Sequence, residues 1–197
     1  RARGVVDLPG EVALGRPGLV AVEPLGHRVG HLVQERALVL QHPDIAEQLG
    51  AALAEALRGI TNGARVEMVA APAIGGLIIG HEVARAAGAR FVFTERDASG
   101  KMTLRRGFEI RPGENAVVIE DVVTTGGSSR EVVEILQEAG ANVIAAGSIV
   151  DRSGGDADLG VERTALATLR VTTYPEDRCP MCAEGSSPTK PGSPPAG

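Results

Sequence analysis

Glu120 and Asp121 close the apolar run AVVIED, and Thr124, Thr125, Gly126, Gly127, Ser128 and Ser129 follow within a few residues. Small hydroxyl and glycine residues in that order suit a phosphate. Gly126 and Gly127 let successive amides turn toward one point, and the serines add hydroxyls where a helix begins. Carboxylates beside such a nest repel an anion unless they accept hydrogen bonds from its hydroxyls or meet a cation. A ribose phosphate accompanied by magnesium supplies both. The segment carries neither a Walker sequence nor a GxGxxG turn after a strand, so the phosphate is not held in either of those ways. A plainer alternative has the acids solvating a strand end and the serines capping a helix. It explains the ends of the segment but not the whole pattern from Ile119 to Ser129.

These residues need a scaffold. HPDIAEQLGAALAEALRG predicts a helix: Pro43 suits a first turn, Ile45, Leu49, Leu53 and Leu57 recur on one face, and Gly59 is placed to end it. Downstream, the apolar runs VEMVAA, FVFTE, AVVIED and NVIAAGSIVD alternate with the helical stretches GLIIGHEVARAAG and SSREVVEILQEAG. That order predicts an α/β fold with a parallel sheet and helices on both faces. Between FVFTE and AVVIED, the polar and glycine-punctuated DASGKMTLRRGFEIRPGEN predicts an inserted hairpin or flap at about residues 95–110. Ligands of open parallel sheets collect at the carboxyl ends of the strands. That rule selects the loops beginning at Pro72 (PAIGG), Thr94 (TERD), Glu120 and Asp151 (DRSGG).

At 197 residues and 43% hydrophobic, the chain suits one domain with tails. A net charge of -5 with 2% aromatic residues argues against a nucleic-acid partner and for a small charged metabolite. No apolar run approaches the roughly 18 residues that cross a bilayer, and no signal-peptide succession opens the chain, so a soluble cytoplasmic protein is expected. Cys179 and Cys182, in CPMC, form no disulfide framework and lack the further ligands that a zinc site usually needs, so plain thiols are expected. The Ser/Pro/Gly tail after them is expected to be disordered.

Two acids, two aliphatics and Thr-Thr-Gly-Gly-Ser resemble the phosphoribosyl pyrophosphate (PRPP) loop of type I phosphoribosyltransferases. Within that superfamily, the stretch FTERDASGKMTLRRGFEIRPGENAVVIEDVVTTGGS, with PAIGGLIIGHEVAR and IVDRSGG, resembles the orotate phosphoribosyltransferases, and the likeness runs from about Leu38 to Gly185. It implies the Rossmann-like fold of that superfamily. It also implies magnesium-dependent transfer of the phosphoribosyl group of PRPP to orotate, giving orotidine 5′-phosphate and diphosphate for pyrimidine synthesis. The implied protein is a cytoplasmic homodimer with no nucleic-acid or membrane partner. Residues 1–37 would form a divergent hood segment, 38–175 the core with its flap, and 176–197 a C-terminal CxxC and tail.

Matched residue by residue, the resemblance implies that Glu120 and Asp121 hold the ribose hydroxyls. Val122, Val123, Thr124, Thr125, Gly126, Gly127 and Ser128 complete the PRPP loop, with the amides of Thr125 to Ser128 on the 5-phosphate. Thr124 and Arg152 would contact orotate, Arg152 facing its carboxylate as a planar fork. The alternative for Arg152 is a surface pair with Asp151. Arg96 and Lys101, in or beside the flap, would close over the diphosphate; with Asp121 they form the implied catalytic set. Arg105 and Arg106 lie nearby, and strand alternation would turn one of them outward. Gly75 and Gly76 would let the PAIGG amides approach the diphosphate. Magnesium would be held mainly by PRPP, with Asp121 as the protein ligand. His81, inside a predicted helix, reads as a structural residue.

The chain departs from the family in two places. Many relatives carry a lysine where Gly75 stands, and before Leu38 only Arg36 keeps a charge of the family's hood over orotate. Two other readings share the loop: a catalytically inactive PRPP-binding regulatory module, and a phosphoribosyltransferase acting on a purine or another base.

Overall fold

A short helix, α1 (Arg36–Leu40), leads into α2 (Pro43–Ile60) in the computed structural model, which describes residues 36–170 and Arg178. The hood segment up to residue 35, His27, His31, the CPMC cysteines and the tail lie outside the described residues. Pro43 sits in the first turn of α2, and Ala46, Leu53, Ala54 and Leu57 make its buried face. The helix continues through Gly59, the expected stop. The Thr61 N–H still reaches the Leu57 carbonyl (2.9 Å), and the chain turns only at the left-handed Asn62 and Gly63.

The remaining elements are β1 (Met68–Pro72), α3 (Gly76–Ala87), β2 (Arg90–Arg96), β3 (Met102–Leu104), β4 (Asn115–Val123), α4 (Gly127–Glu138), β5 (Asn142–Asp151) and β6 (Arg163–Thr168). They build one six-stranded sheet in the order β3-β2-β1-β4-β5-β6. Every neighbouring pair is parallel except β2 and β3, which form the expected hairpin at one edge. The sequence leaves α1 and β6 unmarked: α1 is a single turn, and RTALAT is half-buried at the opposite edge, with neither alternation nor a continuous apolar run.

Central strands bury both faces, which is why they read as unbroken apolar runs. Their side chains alternate between two cores. Val69, Val117 and Ile119 pack with Leu53, Leu57, Ile79 and Val83 under α2 and α3. Met68, Ala70, Ala116 and Val118 pack with Val132, Val133 and Leu136 under α4. After β1 the chain builds outward to β2 and β3, then returns to the other side of β1 to lay down β4. That reversal opens a crevice at the carboxyl ends of β1 and β4, between PAIGG and the loop after Val123.

Candidate active site

β4 runs through both acids to Val123, so Glu120 and Asp121 are strand residues rather than members of the following loop. Successive strand residues face opposite sides of a sheet, and the contacts agree. Glu120 accepts a hydrogen bond from the Ser129 hydroxyl in the first turn of α4. Asp121 lies on the PAIGG side: a Cβ built on Gly75 would stand 2.9 Å from each of its carboxylate oxygens. Asp121 is buried, and its Oδ1 accepts the Val122 N–H at 2.8 Å. The two acids therefore approach the crevice from either side of β4. Ser129 is spent on Glu120 instead of adding a hydroxyl to the nest, and no side chain caps α4.

Gly126 is the turning point of the loop expected to cradle a phosphate. Its φ of 83° is left-handed, and a Cβ there would come within 2.5 Å of Leu159 Cδ2, so both conformation and space demand glycine. Gly127 does not share that conformation; it begins the helix. The Arg130 N–H is the first of the helix to reach back, to the Gly126 carbonyl, which leaves the amides of Gly127, Ser128 and Ser129 at the positive end of the helix dipole. Thr124 and Thr125 are exposed at the mouth of the loop.

On the other side of the crevice, the Ala73 N–H donates to the Thr94 carbonyl (2.8 Å), tying PAIGG to the end of β2. Gly75 is exposed and Gly76 buried. The smallness of Gly76 serves the protein's own packing, because a Cβ there would stand 2.9 Å from Ala71 Cβ and 3.0 Å from the Ile119 carbonyl. Only Gly75 faces outward as the sequence suggests. Thr94, which carried no assigned role, is fully buried with a hydroxyl that has no hydrogen-bond partner among the described residues. Its place in TERD was the only signal for it.

β5 ends in Asp151, whose partner is Arg163 (2.6 Å) and not Arg152. Burial would raise the Asp151 pKa, but hydrogen bonds from Ser153 and Arg163 outweigh it and hold the carboxyl below its ordinary value. The surface-pair alternative for Arg152 thus fails. Arg152 is anchored through its backbone N–H to the Val123 carbonyl (2.8 Å), and its Nε is buried with no hydrogen-bond partner among the described residues. A buried donor left unmade costs about 1–3 kcal/mol, which a ligand acceptor would recover.

Arg96 ends β2 and crosses to α4, where its Nη1 and Nη2 meet both oxygens of Glu131 at 3.0 and 3.1 Å. That bond, more than any other influence, raises its pKa. Lys101 stands exposed in the turn before β3, and its N–H donates to Asp97 Oδ1. Arg105 and Arg106 follow the end of β3 at Leu104, so strand alternation does not govern them; both are exposed, and Arg106 folds back onto Glu95 (2.7 Å). Helix α3 does contain His81, whose largely exposed side chain lies 3.5 Å from Glu82 and edge-on to Phe91. Glu131 was not among the expected site residues, because only the fold brings the second turn of α4 to the end of β2.

No group of three or more His, Cys, Asp or Glu side chains among the described residues could hold a metal ion by itself. Asp121 fits a more limited part. Magnesium commonly takes one or two carboxylates, substrate phosphate oxygens and water, rather than a cage of protein ligands.

The phosphoribosyl transferase domain family matches residues 37–159 of the chain. The chain is 52% identical to the orotate phosphoribosyltransferase of Pelotomaculum thermopropionicum over 157 residues, 80% of each protein. Against that of Heliobacterium modesticaldum it is 49% identical over 158 residues, 80% of this chain and 81% of the relative. The crystal structure of orotate phosphoribosyltransferase from Aeropyrum pernix shares the fold, with a TM-score of 0.53 at 24% identity over 67% of this chain and 76% of that one.

Proposed function

The chain belongs to the orotate phosphoribosyltransferase family, and from that membership we propose how it moves the phosphoribosyl group of PRPP to orotate, releasing diphosphate and forming orotidine 5′-phosphate. One observation carries the reading. At the reversal of strand order, the buried Asp121 carboxylate of β4 lies against Gly75 on one side of the crevice, and the uncapped start of α4 opens on the other. A ribose phosphate needs both kinds of group, acceptors for its hydroxyls and amides for its phosphate.

Glu120 and Asp121 accept hydrogen bonds from the ribose hydroxyls. The loop of Val122, Val123, Thr124, Thr125, Gly126, Gly127 and Ser128 takes the 5-phosphate on its amides. Thr124 and Arg152 bind orotate, the buried Nε of Arg152 finding its missing acceptor in the carboxylate. Arg96 and Lys101 hold the diphosphate with the outward-facing backbone of Gly75, and stabilise its charge as the bond to the anomeric carbon breaks. The ring nitrogen of orotate attacks that carbon directly, so positioning replaces a covalent intermediate on the protein. Asp121 would hold magnesium together with PRPP oxygens, and the ion would neutralise charge on the departing diphosphate.

The enzyme works in the cytoplasm as a homodimer. The resemblance supports this, and the exposed apolar side chains of Ile74, in the PAIGG loop, and Ile78, in the first turn of α3, support the dimer. Among the described residues no helix is long and apolar enough to cross a membrane.

Protein mixed with PRPP, magnesium and orotate should consume orotate, read as loss of its ultraviolet absorbance. Turnover of adenine, guanine or uracil in its place would overturn the orotate assignment. PRPP binding without any turnover would mark a regulatory module.

A further inference from the structure

The bidentate bond between Arg96 and Glu131 has a particular geometry. A guanidinium carries five N–H donors in a rigid fork. Here Nη1 donates to the Gly100 carbonyl (2.7 Å) and to Glu131 Oε2 (3.0 Å), and Nη2 donates to Glu131 Oε1 (3.1 Å). Glu131 therefore grips the end-on edge, between the two Nη atoms. The side-on edge, made of Nε–H and the second hydrogen of Nη2, receives no hydrogen bond among the described residues. Three of the five donors fix the plane and reach of the group, and two adjacent donors remain. Two parallel donors on one edge are what bidentate binding of a phosphate requires.

We infer that Glu131 is a positioning residue for the transfer reaction: from the second turn of α4 it holds Arg96 with its side-on edge open for the diphosphate of PRPP. The inference rests on the proposed role of Arg96 at the diphosphate. Arg96 is a long side chain at a strand end, its side chain 45% exposed, and an unanchored arginine there would sample many rotamers. Glu131 removes that freedom before substrate arrives. Its helix is the one whose first turn faces the 5-phosphate, so a single element would register both ends of the same substrate. The carbonyl of Gly100 adds the hairpin to this arrangement, since the same Nη1 touches the turn that carries Lys101.

Steady-state kinetics on four proteins test the idea: wild type, Glu131→Gln, Arg96→Ala and the double variant, with thermal melting to verify that each is folded. Glu131→Gln should raise KM for PRPP about tenfold, lower kcat less, and leave KM for orotate unchanged. In the Arg96→Ala background it should change nothing further, because no guanidinium remains to be held. An unaltered Glu131→Gln enzyme would overturn the inference while leaving the role of Arg96 intact. So would a lowered KM for PRPP, which would make Glu131 a competitor of the substrate. A loss of equal size in the Arg96→Ala background would make Glu131 a structural residue of α4, again overturning the inference. Arg96→Ala matching wild type would remove the proposed role of Arg96 itself, and the inference with it.

Discussion

Gly126 shows how a single residue couples backbone conformation to the site. A residue with a Cβ in the left-handed region loses about 1–2 kcal/mol, and here the added methyl would also press on Leu159 at 2.5 Å. Gly126→Ala should therefore lower the melting temperature and raise KM for PRPP, because the strained loop would turn its amides away from the phosphate. Calorimetry and initial rates read the two effects; an unchanged KM in a destabilised protein would separate the loop from the phosphate. The need for glycine here was legible in the sequence, since residue types alone mark a nest. The partners of Glu120 and Asp151 were not. Ser129 lies nine positions from Glu120 and Arg163 twelve from Asp151, and only the strand register and helix phase bring them together.

The β2–β3 hairpin carries Arg96 and Lys101, the cations proposed to act on the departing diphosphate, and hydrogen bonds to Asp97 shape its tip. Asp97 Oδ1 accepts from the Ser99 N–H (2.8 Å), the Ser99 hydroxyl (2.6 Å) and the Lys101 N–H (3.1 Å), while Gly100 takes a left-handed φ of 83°. The Ser99 hydroxyl is the main reason the Asp97 carboxyl titrates below its ordinary value. This turn sets the backbone of Lys101 and leaves its side chain exposed. Lys101→Ala should then slow turnover, by about tenfold to a hundredfold in kcat, with little change in KM for PRPP, because the lysine meets charge that develops as diphosphate leaves. Pre-steady-state mixing would locate the loss in the chemical step; a pure rise in KM would show uniform binding instead. Composition announced the hairpin through its glycines and charges. Its three paired positions, Thr94 with Leu104, Glu95 with Thr103 and Arg96 with Met102, were not legible, because charged edge strands show no apolar alternation to fix register.

At the scale of the molecule, the alternation of apolar runs with helical stretches was enough to read a parallel sheet covered on both faces, because central strands must be apolar throughout. The order of the strands was not readable that way: nothing local tells β4 to return across β1. The ion pair of Arg90 with Glu114 helps hold that return. Arg90 opens β2, Glu114 precedes β4, and two guanidinium nitrogens meet both carboxylate oxygens, Nε at 2.7 Å and Nη2 at 2.5 Å, while Nη2 also reaches the Glu109 carbonyl. The hydrogen bond from Arg90, opposed by burial, keeps the Glu114 pKa below its ordinary 4.5. A carboxyl whose folded pKa is depressed adds stability that is fully present above its unfolded value and is lost as pH falls through the folded one. Asp151 acts in the same direction, below 3.8. Stability should thus hold, as far as these groups decide it, from neutral pH to about the ordinary carboxylate range, and fall steadily in more acidic solution. Glu114→Gln should cost about 1.5–3 kcal/mol at pH 7, the loss of charge-assisted hydrogen bonds to a side chain that is 3% exposed. The difference from wild type should shrink as acid protonates Glu114, since the native carboxyl then resembles the amide. Melting temperatures of both proteins across the acidic range measure this directly. A constant gap down to the lowest pH would mean that Glu114 supports the return of β4 through its shape, with no contribution from its charge.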